Sequence, residues 1–266
     1  GGGCVGAGVR LGGGSGFVPR AARPRQGLEA KNPLLGPAAA SVPKTLTAQY
    51  APDTLGPAHV FGTRLIGTGP MLNGRLEGDL VLLGGGDPTL NTSGLAEMAA
   101  ALKSAGLREV AGRFRVSGGD LPHVDRIDAS QPDYLSYNPA VAGLNLNYNR
   151  VYFEWKKSGG SYTVTMDARS ARLRPEVTVA QMQIADRRFP VYTYSNGGGS
   201  ETWTVARAAL GNGGARWLPV RLPELYTGEV FQILAKTHGI VLRAPEFARG
   251  THRGMVLVSR QRPTLT

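Results

Sequence analysis

The stretch LEGDLVLLGGGDPTL, residues 76–90, decides the fold. Within it, Asp79–Leu83 is typical of a strand whose apolar side chains are buried. In the turn Gly84–Pro88 that follows, successive glycines permit positive φ angles and the proline fixes the direction in which the chain leaves. The stretch therefore predicts a buried strand that ends in a tight turn.

Strand and helix patterns alternate on both sides of this stretch. Phe61–Ile66 predicts a strand before it, and Leu95–Ala105 predicts an amphipathic helix after it, capped by Thr92 or Ser93. Arg113–Val116 then predicts another strand. The order strand, strand, turn, helix, strand indicates a mixed α/β unit.

The rest of the chain is predominantly β, with two further helical patterns. Glu224–His238 is amphipathic and Gly239 ends it, whereas Thr45–Tyr50 is a short helical stretch that Pro52 is expected to end or bend. The remaining predicted strands are a hairpin of Val151–Trp155 and Tyr162–Met166, then Ile240–Leu242 and Met255–Val258. The fold class is therefore α/β, of the mixed α+β kind, with a β-rich middle.

The charge of the chain constrains its partners. It has 266 residues, with 30 Lys and Arg against 19 Asp and Glu and a formal net charge of +11. Such an excess is typical of proteins that bind nucleic acid, a membrane surface or an anionic polymer. The sequence contains no zinc-finger spacing or other nucleic-acid motif, and no apolar run reaches the ~18 residues of a membrane span. We therefore predict no nucleic-acid partner and no integral membrane span.

The sequence predicts neither a metal nor a cofactor. The single cysteine, Cys4, excludes an internal disulfide and any multi-cysteine metal site. The four histidines lie too far apart for a ligand pair at helical spacing. No Gly-Lys dipeptide occurs, which excludes a phosphate-binding P-loop, and no Gly-x-Ser-x-Gly marks a nucleophile elbow.

Ser41 and Lys44 form a Ser-x-x-Lys pair. One helical turn puts both side chains on the same face, so that the lysine amine can reach the serine hydroxyl. A neutral lysine can then act as the base while the serine is acylated, and the backbone N–H of the serine can stabilise the oxyanion. The alternative is a helix-capping serine beside a solvent-facing lysine, and the pair alone does not decide between them.

Three stretches together resemble one known family. They are AAASVPKTLTA at residues 38–48, the glycine-rich stretch at 76–90, and YNPAVAGLNLNYNR at 137–150. The combination is similar to the class C low-molecular-weight penicillin-binding proteins, which are D-alanyl-D-alanine carboxypeptidase/endopeptidases. The resemblance extends over about residues 28–262.

This resemblance implies an exported, periplasmic enzyme that acts on peptidoglycan stem peptides. Ser41 would be the nucleophile that forms an acyl-enzyme with the penultimate D-Ala, Lys44 would be the general base, and β-lactams would acylate Ser41. The family also offers an Asp to the rim of the active site for the diaminopimelate side chain. Asp133 is the candidate, with a loop-stabilising role as the alternative.

The resemblance also implies a serine β-lactamase/transpeptidase-like catalytic domain that two inserted domains interrupt. The implied segments are 1–16 (glycine-rich leader), 17–61 (first part of the catalytic domain), 62–150 (inserted α/β domain), 151–220 (inner β-rich inserted domain), 221–250 (return of the inserted domain) and 251–266 (start of the return of the catalytic domain).

The chain departs from the family in one respect. Neither the Ser-x-Asn nor the Lys-Thr-Gly motif is in the expected place, because Lys236–Gly239 has an extra histidine and matches a helix end. We therefore expect both motifs to lie beyond Thr266, and the 266 residues alone to be inactive. The competing hypothesis is a non-catalytic protein that keeps the inserted domains and binds the cell wall as a scaffold.

Overall fold

A computed structural model describes residues 42–56 and 58–263. The chain divides into two compact units, one that ends at His59 and one that begins at Val60. None of the described helices is long and apolar enough to cross a membrane.

The first unit contains helix α1, Val42–Leu55. Pro52 was expected to end or bend this helix, and it does not end it, because the helix continues for three more residues. Proline lacks an N–H but keeps its carbonyl oxygen. That oxygen accepts a hydrogen bond from the N–H of Gly56 at 2.9 Å, and Gly56 has a φ of 83°, which leads the chain out of the helix.

The second unit contains fourteen strands and two α-helices among its described residues. In chain order they are β1 (Val60–Gly67), β2 (Met71–Leu72), β3 (Arg75–Leu76), β4 (Leu80–Leu83), α2 (Thr92–Ser104), β5 (Glu109–Val110), β6 (Phe114–Ser117), β7 (Arg150–Ser158), β8 (Ser161–Asp167), β9 (Ala180–Ala185), β10 (Tyr192–Asn196), β11 (Glu201–Ala206), β12 (Gly213–Pro219), α3 (Pro223–Thr237), β13 (Pro245–Phe247) and β14 (Met255–Pro263). A short 3₁₀ turn, Arg207–Ala209, follows β11.

The main sheet has five strands in the order β13-β6-β4-β1-β14. β4, β6 and β13 are parallel, whereas β1 is antiparallel to both β4 and β14. Every residue of β4 is buried, which confirms the predicted buried strand. Leu82 belongs to the main core with α2 and α3, while Val81 and Leu83 form a smaller cluster with Ile66. The strand is buried on both sides because core residues cover each face.

The β-rich middle contains two three-stranded sheets, β12-β7-β8 and β10-β11-β9. The predicted hairpin is confirmed, since Ser158 pairs with Ser161 across a two-residue loop. Trp203 and Phe153 are fully buried in the core of this region. A third small sheet joins β2, β3 and β5. These elements confirm the mixed α+β fold, and the division into inserted domains stays a prediction.

Two local predictions are wrong. Asn91, and neither Thr92 nor Ser93, caps α2, because its Oδ1 accepts the N–H of Gly94 at 2.9 Å. The Thr92 hydroxyl instead donates to the Ala168 carbonyl at 2.7 Å. Ile240–Leu242 also forms no strand, since Val241 makes only an isolated bridge with Glu109.

The glycines after β4 are needed for close approach more than for positive φ. Only Gly86 among the three has a positive φ, 81°. A Cβ on Gly84 would lie 2.3 Å from the Gly143 carbonyl oxygen, and the N–H of Gly86 donates to that same oxygen at 2.7 Å. Two of the stretches quoted above, 76–90 and 137–150, therefore pack against each other through their backbones.

Gly143→Ala tests how closely the backbone at residue 143 packs against its neighbours. A Cβ on Gly143 would lie 1.8 Å from the Gly118 carbonyl oxygen, so we expect the free energy of unfolding to fall by more than about 2 kcal/mol. Urea denaturation measures the change. Gly199→Ala is the matched control, because a Cβ there meets nothing within 4 Å. Equal stability of the two variants would contradict the assignment.

Candidate functional site

The structure describes one member of the Ser41–Lys44 pair. Ser41 lies outside the described residues, directly before the first residue of α1. Lys44 lies in the first turn of that helix and is exposed. The geometry of the Ser41–Lys44 pair therefore stays a prediction.

Asp133 lies in the second unit, in the segment between β6 and β7. Its Oδ1 accepts a hydrogen bond from Arg126 Nη1 at 2.6 Å, and its side chain is 43% exposed. The carboxylate is thus partly open to solvent but already has a cationic partner. The contact supports the loop-stabilising alternative, and both this role and a substrate contact stay predictions.

A buried guanidinium holds the backbone on which Asp133 lies. Arg221, only 4% exposed, donates from Nη1 to the carbonyls of Asp125, at 2.8 Å, and Asn138. Its Nη2 donates to the carbonyl of Asp133 at 3.0 Å. A single guanidinium therefore ties three points of the segment between β6 and β7 to the start of α3.

Glu201, in the β-rich middle, also contacts this region, which we call the junction: the start of α3 together with the segment between β6 and β7. Its carboxylate accepts the N–H of Arg221 at 2.9 and 3.0 Å and the N–H of Leu222 at 2.8 Å. These N–H groups precede α3, where the helix leaves its donors unsatisfied. Burial raises the pKa of Glu201 to about 7, although both N–H groups and the charge of Arg221 oppose the rise.

A cavity of about 610 Å³ opens beside this junction. Gly118 and Gly119 line it after β6, Ala248 and Arg249 line it after β13, and Glu224 lines it at the second residue of α3. Glu224 is 5% exposed, and burial raises the pKa of its carboxyl group. This cavity lies at the carboxyl edge of parallel strands, where open α/β sheets usually bind ligands.

The sequence analysis missed Arg221, Glu201 and Glu224. They are brought together only by the tertiary structure, because Glu201 is in β11 while the other two flank the start of α3. One sequence feature could have indicated two of them. In Arg221-Leu222-Pro223-Glu224, one charged residue precedes the predicted start of a helix and one lies at it, and the neighbouring residues are apolar. Over residues 42–56 and 58–263, no group of three or more His, Cys, Asp or Glu could hold a metal ion.

Glu201→Gln tests the ionisation of the buried carboxyl. Between the ordinary pKa of 4.5 and about 7, the folded state binds a proton that the unfolded state has released. The free energy of unfolding should therefore fall as the pH rises through this interval, by up to about 3 kcal/mol. Urea denaturation at pH 5 and pH 8 measures the change, which should be clearly smaller in Glu201→Gln, where the contribution of Glu224 remains.

Glu97→Gln serves as the control for this experiment, because Glu97 is an exposed carboxylate on α2. It should keep the pH dependence of the wild type. If Glu201→Gln loses stability between the two pH values as steeply as the wild type, the assignment to Glu201 is wrong.

The chain matches a known protein family and is similar to solved structures. The model of the D-Ala-D-Ala carboxypeptidase 3 (S13) family matches residues 29–245, a range that includes Ser41, Lys44 and Asp133. The crystal structure of penicillin binding protein 4 (dacB) from Haemophilus influenzae, complexed with a novel beta-lactam, matches with a TM-score of 0.62 and 19% identity. That match covers 84% of this chain and 49% of the other.

A second crystal structure of the Haemophilus influenzae protein gives a TM-score of 0.62 and 20% identity, and covers 83% of this chain and 50% of that one. The chain therefore shares the fold of the part that it matches, and it spans about half the length of these structures.

Proposed function

The chain belongs to the D-Ala-D-Ala carboxypeptidase 3 (S13) family, and from that membership we propose that it supplies the acylating residues of a serine-type carboxypeptidase/endopeptidase. The substrates would be the stem peptides of peptidoglycan. The observation that carries the proposal is the family match over residues 29–245, which includes Ser41-x-x-Lys44 at the start of α1. Family membership supports the catalytic interpretation of the Ser-x-x-Lys pair over a helix-capping serine beside a solvent-facing lysine.

In the proposed reaction, the Ser41 hydroxyl oxygen attacks the carbonyl carbon of the penultimate D-Ala. Lys44, in its neutral form, accepts the hydroxyl proton and passes it to the nitrogen of the departing D-Ala. The C–N bond breaks as the C–O bond of the acyl-enzyme forms. Water then attacks the ester, releases the shortened peptide and restores the Ser41 hydroxyl.

β-Lactams would acylate the same hydroxyl, because their ring amide presents a carbonyl carbon to the nucleophile in the same way. One of the structures that this chain resembles is complexed with a beta-lactam, which supports the proposal for the present chain. The adduct persists when water attacks the ester slowly. Labelling by a fluorescent penicillin therefore reports on Ser41 and Lys44 together.

Asp133 would contact the side-chain ammonium of the stem peptide. Its carboxylate is 43% exposed and therefore accessible, while Arg126 already donates to one oxygen. The second oxygen is the one that could accept a substrate donor, because an ionised carboxylate offers about four lone-pair sites. Arg221 fixes the Asp133 backbone, which keeps the carboxylate at a constant position.

The proposed location is the periplasm, where peptidoglycan is found. The net charge of +11 is compatible with a protein that works beside an anionic cell-wall polymer. The partners that follow from the proposal are stem peptides and, as covalent inhibitors, β-lactams.

The competing function is a non-catalytic scaffold that keeps the fold of the inserted domains and binds the cell wall without acyl transfer. Labelling at Ser41 distinguishes the two functions, because only the enzyme forms a covalent adduct.

We expect fluorescent penicillin to label the protein at Ser41. Ser41→Ala should abolish the label because it removes the nucleophilic oxygen. Gel fluorescence and mass spectrometry of the labelled peptide measure the adduct.

Ser104→Ala, which changes an exposed serine at the end of α2, is the matched control and should label like the wild type. A wild-type protein that takes no label supports the scaffold. Equal labelling of Ser41→Ala and the wild type would show that another residue is the nucleophile.

A further inference from the structure

The cavity beside α3 has the size and position of a binding site. Its volume of about 610 Å³ falls within the range of roughly 300–1,000 Å³ that small-molecule sites occupy. It lies where the parallel strands β6 and β13 end and α3 begins. Residues in this position can converge on a ligand from three elements without disturbing the sheet.

The cavity holds a buried carboxylate with spare hydrogen-bonding capacity. Glu224 accepts its own backbone N–H, and its Oε2 lies 3.7 Å from His123 Nδ1, which exceeds hydrogen-bond distance. His123 is itself shared, because its Nε2 lies 3.3 Å from Asp125 Oδ1. A carboxylate so deeply buried needs donors to offset the cost of its desolvation.

The charge of Glu224 decides which ligand fits. A glycine turn followed by a helix N-terminus usually selects an anion, because the N–H groups point at the ligand. Here Glu224 occupies the second position of α3 with its own negative charge, so a phosphate or carboxylate would be repelled. An ammonium group instead supplies both the opposite charge and up to three hydrogen-bond donors.

The other lining residues extend this chemistry. Leu121, Leu225 and Phe247 give the cavity apolar walls, and Phe247 is 49% exposed. Arg249 is exposed and provides a cation that suits a carboxylate. An ammonium, an apolar body and a carboxylate together are the groups of a short peptide with a free amine.

We propose that this cavity binds a short peptide whose free α-amine pairs with Glu224, whereas the side-chain ammonium is the group assigned to Asp133. The proposal rests on the proposed function for the source of that peptide, which would be a peptidoglycan stem peptide. Arg249 would pair with a carboxylate of the same peptide, and the apolar walls would contact its alkyl groups.

The test compares two probes on the 266-residue chain by isothermal titration calorimetry. The first probe is Lys-D-Ala-D-Ala with free amines, and the second is the same tripeptide acetylated on its α-amine alone. We expect the free-amine probe to bind at least about tenfold more tightly, because acetylation removes the charge-assisted hydrogen bond. Equal affinity for the two probes, or no binding of either, would overturn the proposal.

Two variants assign the preference to the cavity. Glu224→Gln should remove the preference for the free-amine probe, while Glu97→Gln, an exposed carboxylate on α2, should leave it unchanged. Leu121→Lys is the second variant, because Leu121 is 49% exposed and its replacement should be tolerated by the fold. It places a competing ammonium on the wall and should weaken binding of the free-amine probe by about tenfold.

A preference that survives both variants would overturn the proposal, as would tighter binding of N-acetylglucosamine oligomers than of the free-amine tripeptide. Calorimetry needs no acyl transfer, so the test is independent of penicillin labelling. A chain that takes no penicillin but keeps the Glu224-dependent preference supports the cavity and rejects only the catalytic function. A chain that penicillin labels but that shows no preference for the free-amine probe supports the catalytic function and rejects the cavity proposal.

Discussion

The close approach of three glycine backbones is the constraint on which the second unit depends. Gly84 follows β4, Gly118 follows β6, and Gly143 lies in the segment that leads to β7. A Cβ on Gly143 would lie 1.8 Å from the Gly118 carbonyl oxygen, and one on Gly84 would lie 2.3 Å from the Gly143 carbonyl oxygen. Since no side chain fits between them, the segment can lie directly on the ends of the parallel strands. The carboxyl edge of the sheet is thereby partly covered, and the cavity is the part that stays open.

Arg221 and Glu201 extend this contact into the β-rich middle. Glu201 lies in β11 and accepts N–H groups at the start of α3, whereas Arg221 donates to carbonyls of the covering segment. Main-chain acceptors suit a buried guanidinium, and here they take hydrogen bonds from both of its terminal nitrogens, Nη1 and Nη2. The residue that fixes Asp133 is therefore also part of the junction beside Glu224. A change at Arg221 would alter both places through the backbone.

The sequence predicted what depends on local patterns. Leu80–Leu83 is an apolar run, and Gly239 has the positive φ, 76°, of a residue that ends a helix. Asn91 was missed because Thr92 and Ser93 are equally good caps, and only the contact of Thr92 with the Ala168 carbonyl removes it from that role. The sequence predicted positive φ angles at glycines 84–86. Their main role is instead to allow close approach to the backbone of Gly143, and a local sequence pattern cannot reveal a contact with so distant a residue. For the same reason the candidate cavity could not be predicted, since its residues come from β6, α3 and β13.

Some of the positively charged side chains make contacts within the fold. Arg169 donates to Asp167 and Glu154 and lies 3.9 Å from the centre of the Tyr152 ring. Arg216 lies over the ring of Tyr192, 4.7 Å from its centre. A guanidinium that stacks on a ring or pairs with two carboxylates contributes less to the external potential than an exposed lysine would. The net charge of +11 is therefore a weaker guide to the partner of this chain than the side chains that line a particular site, because these decide which chemical groups can bind there.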